Sequence, residues 1–539
     1  MFGITIDNQL VIVPEGTTLL EAARSQGIDI PTLCHWDGAH SHPATSCLAC
    51  LVKLEGKMVP ACATLVADQM VVESETEEIH ALRRTSLELL LSDHAGDCFA
   101  PCQFACPAQM DIPRMLRFLA AGDFSSATQV VKERIALPAV LGRVCPKPCE
   151  KICRRKDLDE PVAICQLKRY AADSDLGHSD SFFPEIAPAT EKRVVILGAG
   201  PTGLAAAYHL CTFGHEVVIL EKEPQVGGRL RSWDEEILPK DVLDAEIDAI
   251  LSLPIAIACD NPFDWSSRKY WDELYDNFDA IFFATGPVSE QDAAWLQLPT
   301  GRFSMGRAGI TVVPKTYRVV ASPEFPYDNV FAGGTAIRGP KAMVVRSVAD
   351  GREAAEVIDR FLAESVIEPT SPPFSVRIKK LKKEELDELA PNGKPIQREE
   401  PTDAGTDDFT PDEAAGQAAR CLHCDCRGRE TCKLLCYSQI YGAQTERFRD
   451  DNTISLKIER SGDILFEPGK CIKCGICISI TQTAMLEKKQ PLGLSFVGRG
   501  FDVKVGVPFD GTLQDALDQV ARQCAEACPT AALNFKNEK

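Results

Sequence analysis

Residues 193–203 read RVVILGAGPTG, an apolar strand pattern that leads directly into spaced glycines and then into a helical stretch, LAAAYHL. Gly198, Gly200 and Gly203 make the tight turn and let the backbone approach a pyrophosphate that sits on the helix N-terminus. Glu221 ends the next apolar strand, HEVVIL, where a carboxylate can accept hydrogen bonds from ribose hydroxyls. Strand, glycines, helix and acidic strand end together predict a dinucleotide-binding domain with a parallel sheet.

Cysteine is the second unusual feature of the chain. Of its 23 cysteines, all but Cys165, Cys211 and Cys259 fall into tight clusters. The N-terminal stretch MFGITIDNQLVIVPEG lacks the basic start of a secretory signal, and no apolar run approaches the roughly 20 residues that cross a bilayer. We therefore expect a cytoplasmic protein without a membrane span. In that reducing compartment, C-x2-C spacing indicates metal or redox chemistry rather than disulfides.

Length, charge and local composition limit the organisation and the partners. The formal net charge of -20 argues against nucleic acid as a partner, because phosphate binding needs a basic face. The 539 residues suffice for about three or four domains with ordinary cores. Composition shifts predict these segments: a β-grasp-like domain at 1–92, a helical Cys-rich domain at 93–185, the dinucleotide-binding domain at 190–365, a Pro-rich and charged linker at 366–412, a Cys-rich segment at 413–445 and a last Cys-rich domain at 446–539.

The N-terminal cysteines have the spacing C-x12-C-x2-C-x11-C, and they are Cys34, Cys47, Cys50 and Cys62. Two short strands precede them, with a helix from Thr18 that has Glu21 in a capping box. Four thiolates of this spacing suit a 2Fe-2S cluster, and a structural zinc site is the alternative. The stretches IPTLCHW, SCLACLVKLEG, MVPACATLV and LELLLSDHAGDC resemble the N-terminal 2Fe-2S domain of the large iron–sulfur subunit of NADH:quinone oxidoreductase and of iron-only hydrogenases.

The second Cys-rich segment has cysteines on both sides of a helical spacer, namely Cys98, Cys102, Cys106, Cys145, Cys149 and Cys153. Its stretch GRVCPKPCEKIC resembles the paired 4Fe-4S domain of the glutamate synthase small subunit and of dihydropyrimidine dehydrogenase. The resemblance implies two interleaved 4Fe-4S clusters. Its ligand sets would be Cys98, Cys102 and Cys153 for one cluster, and Cys106, Cys145 and Cys149 for the other.

Each of these sets is one ligand short, and here the chain departs from the family. His94 stands where the family has its first cysteine, and its His-x3-Cys spacing resembles the histidine-ligated cluster of the NADH:quinone oxidoreductase subunit. An imidazole ligand would raise the potential of the cluster, and a surface histidine without a metal role is the alternative. In the other set Lys168 stands where the family uses Gln or Glu, and a protonated lysine cannot coordinate iron. Cys165 is the better candidate there, with a buried structural thiol as the alternative.

Three motifs downstream of the fingerprint resemble the FAD domain of glutamate synthase-like reductases. They contain Gly227, Gly228 and Arg229, then Ala284, Thr285 and Gly286 of FFATG, then Gly333 and Gly334 of NVFAGGTAIRG. The resemblance favours FAD over NAD. Those enzymes usually have an Asp that binds the ribityl–phosphate chain at the position of Gly334. They also insert a second, NADPH-binding domain, whereas the stretch from Gly228 to Phe331 has room for little beyond the crossover of the sheet and carries no second glycine fingerprint.

The segment 413–445 contains five cysteines, Cys421, Cys424, Cys426, Cys432 and Cys436. They could hold one 4Fe-4S cluster with one thiol spare, and zinc is the alternative. Position and sequence resemble the Cys-rich tails of some glutamate synthase-like proteins.

The last domain contains a C-x2-C-x2-C run and a distant Cys-Pro, which supply Cys471, Cys474, Cys477 and Cys528. In two-cluster ferredoxins, which this segment resembles, the distant cysteine completes the cluster of the first run. The second cluster of that family is lost here, because Thr481 stands at one ligand position and only Cys524 remains from the second run. We therefore expect one 4Fe-4S cluster, with Cys524 as a packed thiol.

The resemblances cover nearly the whole chain as a mosaic. They imply a multidomain α+β and α/β protein with a β-grasp 2Fe-2S domain, a helical double-cluster domain, a Rossmann-like FAD domain without the NADPH insertion, and a ferredoxin-like domain. The implied cofactors are FAD, one 2Fe-2S cluster and several 4Fe-4S clusters, two of them in 93–185, one in 413–445 and one in 446–539.

The resemblances also imply a function. The chain would be an electron-transfer subunit of a soluble multi-subunit oxidoreductase, whose partner subunits carry NAD(P)H-, hydrogen-, formate- or similar-linked chemistry, with ferredoxin as a further electron partner. No Ser/His/Asp or paired-carboxylate arrangement stands out, so we name no catalytic acid or base. Two alternatives stay open, a self-sufficient NAD(P)H-dependent reductase and a non-redox scaffold with zinc in the Cys sites.

Overall fold

The computed structural model describes residues 1–38, 45–176, 181–263, 267–288, 304–320, 328–364, 367, 369, 373–378, 380–401, 408–449, 456–487, 489, 491–509 and 511–536. The chain forms two compact units. The first unit comprises Met1–Ala100, Pro373–Pro391 and His423–Lys539, and the second comprises Pro101–Pro372 and Asn392–Leu422. Along the sequence, therefore, segments of the two units alternate.

The strands of the described residues are β1 (Phe2–Ile6), β2 (Gln9–Val13), β3 (Leu51–Leu54), β4 (Lys57–Pro60), β5 (Val71–Glu73), β6 (Arg193–Leu197), β7 (Glu216–Leu220), β8 (Ile255–Ala258), β9 (Ala280–Phe283), β10 (Met305–Gly306), β11 (Gly309–Ile310), β12 (Val330–Ala332), β13 (Glu459–Ser461), β14 (Ile464–Phe466), β15 (Ser495–Val497), β16 (Lys504–Gly506) and β17 (Leu533–Phe535).

The α-helices of the described residues are α1 (Leu19–Ser25), α2 (Glu77–Ser92), α3 (Pro101–Ala105), α4 (Ile112–Ala120), α5 (Phe124–Lys132), α6 (Pro138–Val144), α7 (Pro148–Lys151), α8 (Ile164–Leu176), α9 (Pro201–Thr212), α10 (Lys240–Leu251), α11 (Arg268–Asn277), α12 (Thr335–Arg338), α13 (Val344–Glu364), α14 (Lys383–Leu389), α15 (Pro411–Ala418), α16 (Lys433–Ile440), α17 (Ile476–Leu486), α18 (Leu513–Leu517) and α19 (Ala521–Ala527). None of them is both long and apolar enough to cross a membrane.

The N-terminal part of the first unit is a five-stranded sheet in the order β2-β1-β5-β3-β4, with β1 and β5 parallel. Asp7 and Asn8 have positive φ values of 46° and 67°, as the tight turn between β1 and β2 requires. Thr18 caps α1 and forms the predicted capping box with Glu21. The buried face of α1 packs with Ile4 and other apolar side chains of the sheet. A mixed sheet with one helix across it is the expected β-grasp arrangement.

The C-terminal part of the first unit has an antiparallel sheet in the order β13-β14-β17 and a separate ribbon of β15 and β16. Helices α17 and α19 pack together beside this sheet. Their apolar side chains form a core that includes Ile480 and Cys524. This core places the C-x2-C-x2-C run, at the start of α17, near the Cys-Pro that follows α19.

The second unit contains a parallel sheet in the order β12-β9-β6-β7-β8. The fingerprint strand β6 lies at its centre, and the strand order reverses on either side of it. Helices α9 and α13 cross closely, because Gly351 lets the backbone of α13 approach the Thr202 carbonyl, which a Cβ would meet at 2.3 Å. In such sheets a ligand binds at the carboxyl ends of the strands on either side of the reversal.

One buried carboxylate connects the sheet of the second unit to its Cys-rich helices. The backbone N–H groups of Ala139 and Val140, at the start of α6, donate to Glu246 of α10 at 2.6 and 2.7 Å. Burial raises the pKa of Glu246 to about 7, against the effect of these two hydrogen bonds. Apolar side chains of both parts form one continuous core.

The predicted linker 366–412 contains α14, and it contributes residues to both units. Glu385 of α14 accepts a hydrogen bond from Leu456 N at 3.0 Å within the first unit. In the second unit Lys394 N donates to Ala419 O at 2.7 Å. The predicted domain boundaries stay predictions. The structure groups the chain into two discontinuous units rather than into consecutive domains.

Replacing Glu246 by Ala is expected to lower the free energy of unfolding of the second unit by about 2–4 kcal/mol, because two buried N–H groups lose their acceptor. The folded-state pKa of Glu246 lies above the ordinary value of 4.5, so its contribution declines as pH rises through 7. The difference between the two proteins should therefore be larger at pH 5 than at pH 8. Anaerobic urea unfolding measures it, and the exposed Glu236→Ala variant should change stability by less than about 0.5 kcal/mol.

Candidate functional site

The N-terminal quartet of cysteines is buried in the first unit. Cys34, Cys47, Cys50 and Cys62 all lie in its apolar cores. The Sγ atoms of Cys50 and Cys62 are 3.3 Å apart. Hydrogen bonds from Cys47 and Cys62 lower the pKa of Cys34 far below its ordinary value. Four sulfur atoms that share protons in one buried place form a donor set that fits a 2Fe-2S cluster.

A second quartet in the first unit combines residues from two segments that are far apart in the sequence. The backbone N–H of Cys426 donates to Cys98 O at 3.3 Å. Burial and the charges of Cys426 and Cys98 raise the pKa of Cys432 to about 12. Burial likewise raises the pKa of Cys98 to about 11. These three sulfurs form a donor set for which the sequence spacing alone provided no hint.

His94, on the turn between α2 and Cys98, is the proposed fourth ligand of this group, and it lies buried near Lys470, whose ammonium hydrogen-bonds Cys426. Burial, with the nearby charge of Lys470, lowers the pKa of His94 to about 3, so its imidazole is neutral at physiological pH. Its Nδ1 has no hydrogen-bond partner among the described residues. A buried neutral imidazole with an unused lone pair fits a metal ligand better than a surface histidine.

The ferredoxin-like quartet lies in the C-terminal part of the first unit. Burial raises the pKa of Cys471 to about 11 and that of Cys474 to about 12, and in both cases the charge of Cys528 adds to the effect. Burial and the neighbouring cysteines also raise the pKa of Cys477. Cys524 lies beside this group and is fully buried. Its Sγ donates to the Cys477 carbonyl at 3.9 Å.

Thr481 has a structural role at the position where ferredoxins have a ligand. Its hydroxyl donates to Ile478 O and accepts a hydrogen bond from Leu494 N, each at 3.0 Å. The hydroxyl is therefore used within the backbone framework of α17 and the following loop.

The three quartets of the first unit adjoin one another through shared packing. One apolar cluster contains Cys34 and Cys47 of the first quartet and Cys98 and Cys432 of the second, and Cys474 of the third packs against it. The sulfurs are close enough for the charge of Cys34 to act on Cys474. The three candidate sites thus form a continuous buried series.

The second unit brings together Cys106, Cys145, Cys149 and Cys165. Cys145 and Cys165 share a side-chain hydrogen bond, which lowers the pKa of Cys145 to about 7. Burial, with the charge of Cys106, raises the pKa of Cys149 to about 12. This set contains the predicted trio and the predicted fourth residue, Cys165, so the donor set fits a 4Fe-4S cluster.

The remaining candidates are divided between the two units. Cys102, Cys153 and Cys421 lie in or against the core of the second unit, whereas Cys424 belongs to the first unit. Cys436 is exposed on α16. The structure therefore does not place the five cysteines of 413–445 in one unit. The predicted grouping of Cys98 with Cys102 and Cys153 draws on both units and stays an untested alternative to the contact of Cys98 with Cys426 and Cys432.

No disulfide joins any two cysteines of the described residues. Within the described residues, no three His, Cys, Asp or Glu side chains have the geometry of a site for a single metal ion. Burial, spacing and mutual contact are thus the grounds on which the ligand sets are assigned.

The second unit also contains a cavity of about 1090 Å³ at the carboxyl ends of β6, β7 and β9. Its lining includes most of the predicted flavin-site residues, among them Gly198, Gly200, Glu221, Gly228, Arg229 and Thr285. Glu221 accepts hydrogen bonds from Ala199 N at 2.6 Å and Glu223 N at 3.0 Å, which fixes the carboxylate beside the glycine turn. The third glycine is required sterically, since a Cβ on Gly203 would lie 1.9 Å from Gly198 O.

Thr202, which lines the cavity, lies directly against the unusual Gly334. A Cβ on Gly334 would lie 2.0 Å from Thr202 Oγ1. Gly334 has φ 62° and ψ −141°, a conformation that side chains other than glycine rarely adopt. The threonine hydroxyl thus occupies the space that a larger residue at 334 would need. Gly333 is constrained as well, because its Cβ would lie 2.8 Å from the Phe282 ring.

Sequence reasoning missed two residues beside these sites. Thr202 follows the second fingerprint glycine, and its pairing with Gly334 becomes visible only in three dimensions. Lys470 directly precedes Cys471 and is buried with its Nζ 2.6 Å from Glu467, and its ammonium hydrogen-bonds Cys426. Its position before the C-x2-C run was available in the sequence, but its burial was not.

Three parts of the chain match known protein families. Residues 1–77 match the 2Fe-2S iron-sulfur cluster binding domain, 90–179 match dihydropyrimidine dehydrogenase domain II, 4Fe-4S cluster, and 196–255 match the NAD(P)-binding Rossmann-like domain. The chain therefore carries a 2Fe-2S domain, a 4Fe-4S helical domain and a Rossmann-like domain. These matches confirm the predicted fold class and the presence of domains of both the 2Fe-2S and the 4Fe-4S type.

Several curated proteins are similar to the central part of the chain. The NADP(+)-dependent formate dehydrogenase subunit beta of Moorella thermoacetica is 37% identical over 209 residues, which cover 35% of this chain and 29% of that protein. The NADPH-Fe(3+) oxidoreductase subunit beta of Geobacter sulfurreducens is 37% identical over 190 residues, covering 35% and 28%. The NAD-dependent dihydropyrimidine dehydrogenase subunit PreT of Escherichia coli is 38% identical over 186 residues, covering 34% and 43%.

The chain thus spans less than half the length of these relatives. All three are named as subunits of oxidoreductases, and this confirms the predicted relationship to multi-subunit oxidoreductases of this type.

Gly334→Ala is expected to lower the free energy of unfolding by more than about 2 kcal/mol and to reduce flavin content, since it adds both a clash with Thr202 and backbone strain. Gly122→Ala is the matched control, because Gly122 has φ 77° with open space around it, and it should cost only about 1 kcal/mol.

Adding Thr202→Ala to Gly334→Ala should recover part of the loss, because the hydroxyl no longer occupies the space. Bound flavin and the thermal unfolding midpoint are measured for the four proteins of the cycle. Strict additivity of the two substitutions would contradict the steric pairing.

Proposed function

We propose that the chain is a flavin and iron–sulfur electron-transfer subunit of a multi-subunit oxidoreductase, which relays electrons between the active site of a partner subunit and ferredoxin or NAD(P). The observation that carries this proposal is the continuous apolar core of the first unit, where three cysteine-lined sites adjoin. Sites that share one dry core can exchange electrons without solvent between them, and their burial tunes their potentials.

We assign the clusters by the donor sets that the fold brings together. A 2Fe-2S cluster is proposed on Cys34, Cys47, Cys50 and Cys62. Three 4Fe-4S clusters are proposed on His94, Cys98, Cys426 and Cys432, on Cys471, Cys474, Cys477 and Cys528, and on Cys106, Cys145, Cys149 and Cys165. The burial of these thiols disfavours free thiolates, so metal binding would release their protons and stabilise the fold.

FAD is the proposed occupant of the cavity in the second unit. When bound, it supplies exchange of electron pairs with hydride carriers and of single electrons with clusters. The N-terminus of α9, with Gly200 as its cap, would hold the pyrophosphate. Glu221 would accept the ribose hydroxyls with the lone pairs that its two backbone hydrogen bonds leave unused.

The names of the relatives support a function that depends on partners. Formate, ferric iron and dihydropyrimidine chemistry belong to those proteins as named, and we propose that a comparable partner subunit provides the terminal reaction here. The sequence carries one glycine fingerprint, and we assign it to FAD. Hydride exchange with NAD(P) would accordingly take place on a partner.

The whole chain, purified anaerobically, is expected to contain FAD, iron and acid-labile sulfide in amounts that fit one 2Fe-2S and at least three 4Fe-4S clusters. NADH or NADPH added to the isolated chain should leave the flavin absorbance near 450 nm unchanged on the time scale of turnover. Dithionite should bleach the flavin and the clusters. Elemental analysis and anaerobic absorbance spectroscopy measure these outcomes.

Two results would favour other functions. Zinc without iron or sulfide would establish the scaffold alternative. Prompt flavin bleaching by a nicotinamide nucleotide, without a partner, would establish a self-sufficient reductase.

Cys432→Ser is expected to remove about four iron atoms per chain and one 4Fe-4S signal from the electron paramagnetic resonance spectrum of the reduced protein. The cap of α16 should survive, because serine can replace the Cys432 sulfur that accepts from Leu435 N. Cys436→Ser, on the same helix but exposed, is the matched control and should retain the iron. Loss of iron in the control alone would contradict the assignment.

A further inference from the structure

Lys168 lies on α8, one turn after Cys165, so both side chains lie on the same side of the helix. Helix α8 is held closely against α6, where a Cβ on Gly142 would lie 2.6 Å from Arg169 Cβ. The Cys165 sulfur donates to Gly142 O at 3.4 Å, and Cys165 N donates to Glu150 at 2.8 Å. These contacts hold α8 in place, so they position Lys168 together with Cys165.

The side chain of Lys168 is only 4% exposed. Burial by itself lowers its pKa, but the charges of Cys165, Cys145, Cys106 and Cys149 outweigh that effect and raise the pKa above its ordinary value. The buried ammonium therefore lies within electrostatic reach of all four cysteines of the proposed cluster.

The other buried lysines of the described residues have carboxylate partners. Lys132 pairs with Asp175 at 2.8 Å, and Lys470 pairs with Glu467 at 2.6 Å. A buried charge is costly unless an opposite charge compensates it. The groups that act on Lys168 are the four cysteines, so an anionic cluster bound by them would supply the opposite charge.

A 4Fe-4S cluster with four thiolate ligands is an anion, and its reduction by one electron makes it more negative. A fixed positive charge nearby stabilises the reduced form more than the oxidised form, because Coulomb attraction grows with the added charge. The step is a one-electron transfer from a donor such as the reduced flavin, and no proton or bond changes at Lys168.

We propose that Lys168 is a buried counter-ion that raises the midpoint potential of the cluster on Cys106, Cys145, Cys149 and Cys165. It is a positioning residue, since a protonated lysine has no lone pair for iron. The inference rests on the proposed function, because it requires a cluster at these cysteines. It gives a chemical reason for a lysine where related proteins have Gln or Glu.

The test compares midpoint potentials in the whole chain by anaerobic redox titration followed by electron paramagnetic resonance. The signal of this cluster is identified as the one that Cys149→Ser removes. Lys168→Met, which keeps the length but loses the charge, should reduce the ratio of reduced to oxidised cluster at a given potential at least tenfold, a shift of about 59 mV to more negative potential. Lys168→Arg should keep most of the native potential, and the exposed Lys240→Met should not alter it.

The outcomes separate the two proposals. If Cys149→Ser removes neither iron nor a signal, the assignment of this cluster fails. If that variant removes the signal but Lys168→Met titrates as the native protein does, the counter-ion role alone is wrong. Should Lys168→Met lose its iron, Lys168→Gln provides the same neutral comparison, and loss of iron in both would overturn the proposal in favour of a purely structural role.

Discussion

The burial of cysteine sulfur is the constraint on which this structure depends. Burial raises the pKa of Cys98, Cys149, Cys432 and Cys474 to about 11 or 12. Such thiols are neutral at physiological pH, yet metal coordination requires thiolates. On the proposed assignments, cluster binding would replace these protons and cross-link distant segments, so folding of each unit would be coupled to it. Lys168 and Lys470 contribute to the charge around these sulfurs, since each ammonium lies buried near cysteines.

The sulfurs of Cys98, Cys426 and Cys432 bring together distant segments of the first unit. Cys98 ends the first segment of the first unit, and Cys426 and Cys432 lie near the start of its last segment. A backbone hydrogen bond joins Cys98 and Cys426 directly. Within the second unit, Glu246 and one shared apolar core join the dinucleotide-binding sheet to the helices that carry the cysteines.

The cavity of the second unit shows how a departure from a family pattern is compensated locally. Gly334 lacks the carboxylate that related reductases place there, and Thr202 occupies the adjoining space with a neutral hydroxyl. The backbone of Gly334 adopts a conformation suited to glycine. The two positions therefore form a steric pair, and the residue that fits at 334 depends on the side chain at 202.

The sequence by itself determined the local features: the glycine turn after β6, the capping box of Thr18 and Glu21 and the 2Fe-2S spacing. Each of these depends on residues that are near in sequence or on a motif whose geometry is nearly invariant. Only the tertiary structure decided that Cys98 lies with Cys426 and Cys432, and that Thr202 adjoins Gly334. Those contacts join segments that are far apart in the chain. The spacing of residues in the sequence carries no information about which distant segments pack together within each unit.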